Sequence, residues 1–336
     1  MCASRHWNRA CYSLIRKVSL SEQQQLPTFA DIQASADFIG AHLPPTPLLH
    51  CWKLSESLGF AYHAKCENLQ PVGAFKVRGG VNLLGRLDAA QRQRGVISAS
   101  TGNHGQSLAF AGRLFGVPVV IYGPEHNSNP AKVQAMRALG AEVRLFGWDF
   151  DEAREQAEKV VQEEGYHFVH SANEPLLIAG VGTMGLEIFA ELPEVDAVIV
   201  PVGGGSGACG NALVARHFNP QVEVVAVQTE GAPVCYRAWK ERRLDVSGPM
   251  TTRHEGLATR VAFEMTTRMM WDLVDRFVLV TDTEIDVAVG LLATEAKLVA
   301  EGAGAASLAA AIKLKDYLRG KKVVGILSGG NASPVL

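Results

Sequence analysis

Lys76 lies in Pro71-Val-Gly-Ala-Phe-Lys-Val-Arg-Gly-Gly, a segment with three glycines and the bulky apolar neighbour Phe75. A lysine whose pKa is lowered by desolvation, or by a nearby cation such as Arg78, becomes a nucleophile able to form a Schiff base. The alternative is an ordinary solvated surface charge. Three glycine-rich turns accompany it: Ser100-Thr-Gly-Asn-His-Gly, Gly203-Gly-Gly-Ser-Gly-Ala-Cys-Gly and Ser328-Gly-Gly-Asn. The second follows an apolar strand and opens a helix, so its backbone N–H groups and the positive helix end face an anion such as phosphate. The first places Asn103 and His104 at a helix start, where hydroxyls and free N–H groups suit a carboxylate. An ordinary N-cap and a packed, hydrogen-bonded His104 explain that turn as well. Gly205-Ser-Gly207-Ala-Cys-Gly210 also fits G-x-G-x-x-G, with Glu230 twenty residues on where a ribose-binding acid would stand.

These turns must be carried by strands and helices, and the pattern from residue 95 onward supplies them. Val96–Ala99, Val117–Tyr122, Glu142–Phe146 and Tyr166–His170 read as strands, separated by helices at Gln106–Phe115, Pro130–Leu139 and Asp151–Glu164. The alternation resumes with a strand at Ala197–Val202, a helix at Ala208–His217 and a strand at Val222–Val227. A strand at Phe277–Thr281, a long helix at Glu284–Ala300 and a strand at Lys322–Leu327 complete it. Consecutive β-α units give an α/β fold of two doubly wound lobes with mainly parallel sheets, one built from about 97 to 170 and the other from the remainder. Ligands of such sheets bind beyond the carboxyl ends of the strands, where all three glycine turns fall.

The chain has 336 residues, 47% hydrophobic and 20% charged, enough for a sizeable core. Lys plus Arg is 32 and Asp plus Glu is 34, a formal balance of −2 that excludes a polybasic nucleic-acid binder. Six scattered cysteines (Cys2, Cys11, Cys51, Cys66, Cys209, Cys235) lack C-x-x-C spacing and suit reduced thiols in the cytoplasm. No membrane partner is expected, because the longest charge-free run, Ala197–Ala215, contains Pro201 and five glycines. Residues 1–25 are basic, with no acid before Glu22, and read as a disordered extension in preference to a transit peptide. An ordered core is expected from Thr28.

Gly73-Ala-Phe-Lys76-Val-Arg78-Gly, Ser100-Thr-Gly-Asn103-His-Gly, Gly203-Gly-Gly-Ser-Gly207 and Ser328-Gly-Gly-Asn occur in one order and spacing. Together they resemble the pyridoxal-phosphate threonine/serine dehydratases (ammonia-lyases) of the tryptophan synthase β-like fold, relatives of serine racemase, over residues 45–333. The resemblance implies a large cofactor-binding domain at 26–96 and 171–336, and a small mobile domain at 97–170 that closes over substrate. It implies that Lys76 binds the cofactor as a Schiff base and moves the Cα proton. Gly203, Gly204, Gly205, Ser206 and Gly207 would wrap the phosphate, Asn103 would meet the phenolic oxygen, Ser328 the pyridine nitrogen, and Phe75 the ring face. Ser100, Thr101, Gly102, Asn103 and His104 would bind the substrate carboxylate. The implied reaction turns a hydroxy amino acid such as L-threonine or L-serine into a 2-oxo acid and ammonia, in a homodimer.

The chain departs from that family pattern in places. Ala74 stands where the family usually has serine. Thr101 stands where serine racemase has its second base; it keeps the hydroxyl and is a catalytic candidate beside Lys76, while its added methyl crowds that face and disfavours, without excluding, racemisation. Gln228 and Val234 occupy the positions of the relatives' two metal-binding acids, so no metal site is expected. The sequence stops soon after Asn331, so feedback inhibition by isoleucine through an appended domain is not expected. Glu255 and Glu301 sit in family-like segments without an assigned role. The alternatives are a racemase or β/γ-replacement enzyme with the same cofactor, a nicotinamide oxidoreductase on Gly205-x-Gly207-x-x-Gly210, and a non-catalytic binding module.

Overall fold

The computed structural model describes residues 25–332 apart from Thr101, Asn127 and Asp149. All but Gln25 of the expected N-terminal extension lies outside the described residues, as does Thr101. The described chain opens where the sequence pattern does. Thr28 caps the helix Phe29–Ile39 in a reciprocal capping box with Asp31.

Among the described residues, ten strands form two sheets. The strands are β1 (Leu48–His50), β2 (Ala61–Cys66), β3 (Val96–Ala99), β4 (Val119–Gly123), β5 (Glu142–Leu145) and β6 (His167–Phe168), followed by β7 (Ala197–Pro201), β8 (Glu223–Thr229), β9 (Arg276–Val280) and β10 (Lys322–Leu327). The six-stranded sheet has the order β1-β2-β10-β7-β8-β9 and the four-stranded sheet β5-β4-β3-β6. Only β1 runs antiparallel, against β2. The four-stranded sheet is parallel throughout.

The apolar strand sequences follow from burial on both faces. In β7, Ala197 and Ile199 join the core beneath the helix Gly302–Lys313, while Val198 and Val200 join the opposite core with the helices Pro175–Glu191 and Ser206–Phe218. In the smaller sheet Val96 and Ile121 face one core, Ile97 and Val120 the other.

The helix Lys76–Gly85 is the element that matters most for the site. Val77, Val81 and Leu84 join the core of the four-stranded sheet. Gly80 passes so close to Ser107 of the helix Asn103–Phe115 that a Cβ would lie 2.2 Å from its hydroxyl oxygen. That hydroxyl donates to the Lys76 carbonyl at 2.7 Å. Two residues past Lys76, Arg78 is fully buried and donates to both oxygens of Glu67 (each 2.8 Å) and to both of Glu187 (2.6 and 2.8 Å). Lys65 completes the cluster, 2.6 Å from Glu187. Two cations and two carboxylates thus neutralise one another out of water.

Several boundaries differ from expectation for local reasons. The helix expected at Glu284–Ala300 stops being regular at Leu291, widens into a π turn over Leu292–Ala296 and ends at Lys297 with φ +57°. The Thr294 hydroxyl bonds back to the Gly290 carbonyl at 2.9 Å, which disturbs the ladder there. The strand expected at Tyr166–His170 shortens to His167–Phe168: Val169 N–H still reaches Ile97, but its carbonyl is taken by the Ser98 hydroxyl at 2.7 Å. The helices expected from Gln106 and Ala208 begin earlier, at Asn103 and Ser206. That earlier start places Ser206 in the first turn.

Removing one member of the buried cluster leaves the others unpaired. Arg78→Met is expected to destabilise the fold by about 3–5 kcal/mol, read as a lower midpoint in urea unfolding. A shift under ~1 kcal/mol would mean that the cluster acts as a surface pair does.

Candidate active site

The loop before Lys76 is sewn to the chain leaving β10. Phe75 N–H donates to the Ser328 carbonyl at 3.0 Å, Gly330 N–H donates to Gly73 at 2.9 Å, and Ala74 bridges Gly329. Buried Ser328 and the Lys76 loop are therefore neighbours, although 252 positions separate Lys76 from Ser328 in sequence.

The Lys76 ammonium donates to Ser206 Oγ at 2.9 Å and to the Ser171 carbonyl at 3.4 Å. Among the described residues no carboxylate pairs with it. Desolvation by burial lowers its pKa to about 8 from the ordinary 10.5. Of the two causes the sequence left open, burial accounts for the shift. Arg78 is not the cause, because its charge is taken up by Glu67 and Glu187. Burial alone would lower the Arg78 pKa, and the two acids more than reverse that.

Ser206 begins the helix that follows β7 and the glycine loop. Gly205 caps it with φ +95°, a conformation that side chains resist, and a Cβ there would come within 2.9 Å of Thr266. A Cβ on Gly203 would meet the Gly256 carbonyl at 2.5 Å, one on Gly204 the Ala172 Cβ at 2.9 Å, and one on Gly207 the Phe75 ring at 3.3 Å. The Thr266 hydroxyl donates to the Gly204 carbonyl at 2.6 Å, fixing the loop. The first intrahelical bond runs from Cys209 N–H to Gly205, so the N–H groups of Ser206, Gly207 and Ala208 belong to the unsatisfied first turn. A lysine ammonium beside the positive end of a helix is electrostatically unfavourable, and an anion there relieves both. The cradle fits a phosphate.

The Ser100–Gly105 turn follows β3. Ser100 Oγ accepts from Gly102 N–H (3.3 Å) and Gly105 N–H (3.0 Å). Asn103 Nδ2 donates to Glu301 Oε1 at 2.5 Å, and Asn103 Oδ1 accepts from Asn331 Nδ2 at 2.9 Å. These two bonds orient its amide and connect the first turn to the third. Ser98 Oγ donates to the Val169 carbonyl at 2.7 Å, so it accepts from His104 Nε2–H at 3.1 Å. Burial, then the charges of Lys76 and His170, push the His104 pKa down to about 3. His104 is a buried neutral imidazole coupled to Lys76.

Sequence reasoning missed His170 and Ser171, which the shortened β6 brings to Lys76, and Thr266 and Phe263, which contact the glycine loop. No motif marked them. Glu301 was noticed without a role, and its buried carboxyl, raised by desolvation, is the partner of Asn103.

Comparison with known proteins agrees with this geometry. Residues 39–329 match the family model described as pyridoxal-phosphate dependent enzyme. The chain belongs to that family. The enzyme is 40% identical over 304 residues to an L-threonine ammonia-lyase of Thermotoga maritima, covering 90% of this chain and 75% of that one. It superposes on the processed form of threonine deaminase isoform 2 from Solanum lycopersicum with TM-score 0.85 and 30% identity, over 93% and 92% of the two chains. Maize serine racemase gives TM-score 0.87 and 29% identity, over 93% and 97%. The nicotinamide alternative falls. Gly210 serves helix packing, since a Cβ there would lie 2.7 Å from Gly182 Cα, and exposed Glu230 pairs with Lys313 at 3.7 Å.

The dry ammonium carries a stability signature. Because its folded pKa lies below the unfolded value, the unfolded chain binds more protons between pH 8 and 10.5. The penalty is full below pH 8 and is relieved as pH rises toward 10.5. In the cofactor-free enzyme, Lys76→Met should raise stability near pH 7 by up to roughly 2 kcal/mol. The gap to wild type should close toward pH 10.5 in thermal melts; a gap constant with pH contradicts the assignment.

Proposed function

We propose that the enzyme is a lyase that dehydrates and deaminates a hydroxy amino acid, L-threonine or L-serine, to a 2-oxo acid and ammonia. The observation that carries the reading is the desolvated Lys76 amine, 2.9 Å from Ser206 at the mouth of the glycine cradle. The 40% identity to an L-threonine ammonia-lyase supports elimination over racemisation.

In this reading Lys76 holds pyridoxal phosphate covalently, and the loop Gly203, Gly204, Gly205, Ser206 and Gly207 holds its phosphate. Asn103 faces its phenolic oxygen, Ser328 its ring nitrogen and Phe75 its ring. When bound, the cofactor supplies an aldehyde carbon for the amine and an electron sink for the bonds at Cα. Ser328 offers a neutral hydroxyl, which tempers that sink compared with a carboxylate. Lys76 is also the amine that would accept the Cα proton of bound substrate.

The N–H groups of Asn103 and His104 at the helix start, with Ser100, Thr101 and Gly102, receive the substrate carboxylate. Residues 97–170 would form the small lobe that closes over substrate and excludes water, and 26–96 and 171–336 the cofactor-binding domain, with the helix Lys76–Gly85 of the latter reaching into the core of the four-stranded sheet. Lys132 of the helix Pro130–Ala138 already reaches Glu255 at 2.6 Å, beside the turn that packs on Gly203. A homodimer and a cytoplasmic location belong to the same proposal. Trp52, Leu69 and Val299 are exposed apolar side chains available to an interface. No helix of the described residues is long and apolar enough to cross a membrane.

The purified enzyme with cofactor should show a visible Schiff-base absorbance band and release ammonia and 2-oxo acid from threonine or serine. Lys76→Ala should lose the band and lower kcat by about a thousandfold or more. Deuterium wash-in at Cα without ammonia release would instead favour the racemase reading.

A further inference from the structure

His170 is not used by the chemistry above, yet its ring lies within electrostatic reach of the reacting amine. It follows β6, and the carbonyl of the next residue, Ser171, accepts from Lys76 Nζ at 3.4 Å. The His170 and Lys76 charges interact, as do those of His170 and His104. The ring's tautomer is fixed by its own loop. Nδ1 accepts from Ala172 N–H at 3.1 Å and from Asn173 N–H at 3.0 Å, so the ring proton sits on Nε2.

The ring's angle is fixed as well. Phe263 packs against it edge to face, with centroids 5.1 Å apart and planes at 83°. Phe263 also borders the cradle, 3.4 Å from where a Gly204 Cβ would stand. Asn173 Oδ1 accepts from Met265 N–H at 3.1 Å, tying the His170 loop to the Phe263 segment. Burial, then the charges of Arg154 and Lys76, holds the imidazole pKa at about 4, so the ring remains a neutral donor at neutral pH. His104 shows the opposite arrangement: its Nε2–H is directed at Ser98, with the Val169 carbonyl beside the ring.

We propose that His170 is a specificity-determining residue whose Nε2–H donates a hydrogen bond to the β-oxygen of the substrate, with Phe263 holding the ring for that contact. The proposal rests on the reading of the enzyme as acting on hydroxy amino acids. It assigns to one donor the distinction between amino acids that carry oxygen on Cβ and those of similar shape that do not. A site built to bond an oxygen discriminates strongly against its absence, because the donor is then left unpaired.

The test separates the donor from the loop it sits in. In His170→Asn the shorter amide oxygen replaces Nδ1 as acceptor for the N–H groups two and three residues on, as Asn does in turns, while the Nε2–H is lost. His170→Phe loses both. Serine and threonine are compared with alanine and 2-aminobutyrate, by kcat/KM and competitive inhibition, and by calorimetric binding of serine against alanine. His170→Asn should keep the melting temperature and the cofactor absorbance band. It should lower kcat/KM and binding for the hydroxylated pair about tenfold or more, roughly the 1.4 kcal/mol of one hydrogen bond. Alanine and 2-aminobutyrate should change by less than about twofold, as no bond to oxygen is involved.

Equal losses for both ligand classes, or an Asn variant that discriminates as wild type does, would overturn the proposal. If wild type released no ammonia, the lyase reading would fail. The serine-to-alanine binding ratio would still decide the role of His170.

Discussion

A positive charge kept dry without a carboxylate beside it is the constraint from which the site follows. The Lys76 amine rests against a serine hydroxyl at the positive end of a helix, where its charge is least welcome. Two forms of relief exist: losing a proton and gaining an anion. The first makes the amine nucleophilic near neutral pH. The second is what a phosphate in the glycine cradle provides. In the proposed reading, reactivity of the amine and anchoring of pyridoxal phosphate would thus arise from one electrostatic arrangement.

The same short helix shows that this arrangement is selective. Arg78 is almost wholly buried, and it receives two carboxylates, each bonded twice. Glu187 is lowered in consequence: burial would raise it, and Arg78 and Lys65 outweigh that. Two residues earlier, Lys76 has no such partner and its pKa falls. Placement of counter-charge decides which cation is structural and which is reactive. The helix itself is clamped by the close passage of Gly80 to Ser107, so the two cations cannot exchange surroundings.

Much of this was legible in the sequence. The strands that carry the glycine turns are apolar throughout because both faces are covered, and that pattern is readable in Val96–Ala99 or Ala197–Pro201 without a structure. Lys76, Asn103, the glycine loop and Ser328 stood out as motifs. What was not legible lies where contacts are long-range or local geometry overrides periodicity. Nothing in Thr266 announces that its hydroxyl fixes Gly204 from 62 positions away. Apolar Tyr166–His170 reads as a strand, yet the hydroxyl of Ser98 takes the Val169 carbonyl and the regular ladder stops at Phe168. The long helix through Ala300 fails in the same way, at the hydroxyl of Thr294.

Glu301 joins these levels. It is the carboxyl tied to Asn103, and burial raises its pKa instead of leaving it a strong counter-ion. It is spent on the Asn103 amide, whose oxygen takes the Asn331 N–H. Asn103 starts a helix beside the four-stranded sheet, while Glu301 precedes the helix Gly302–Lys313 and Asn331 follows the last strand of the larger sheet. The cation that acts on Glu301 is Lys132 of the smaller lobe, and Lys76 is shifted by burial alone. Committing Glu301 to an amide therefore joins elements from the two sheets: one carboxyl and one amide hold the Ser100–Gly105 turn against the chain leaving β10, the same chain that is sewn to the loop before Lys76.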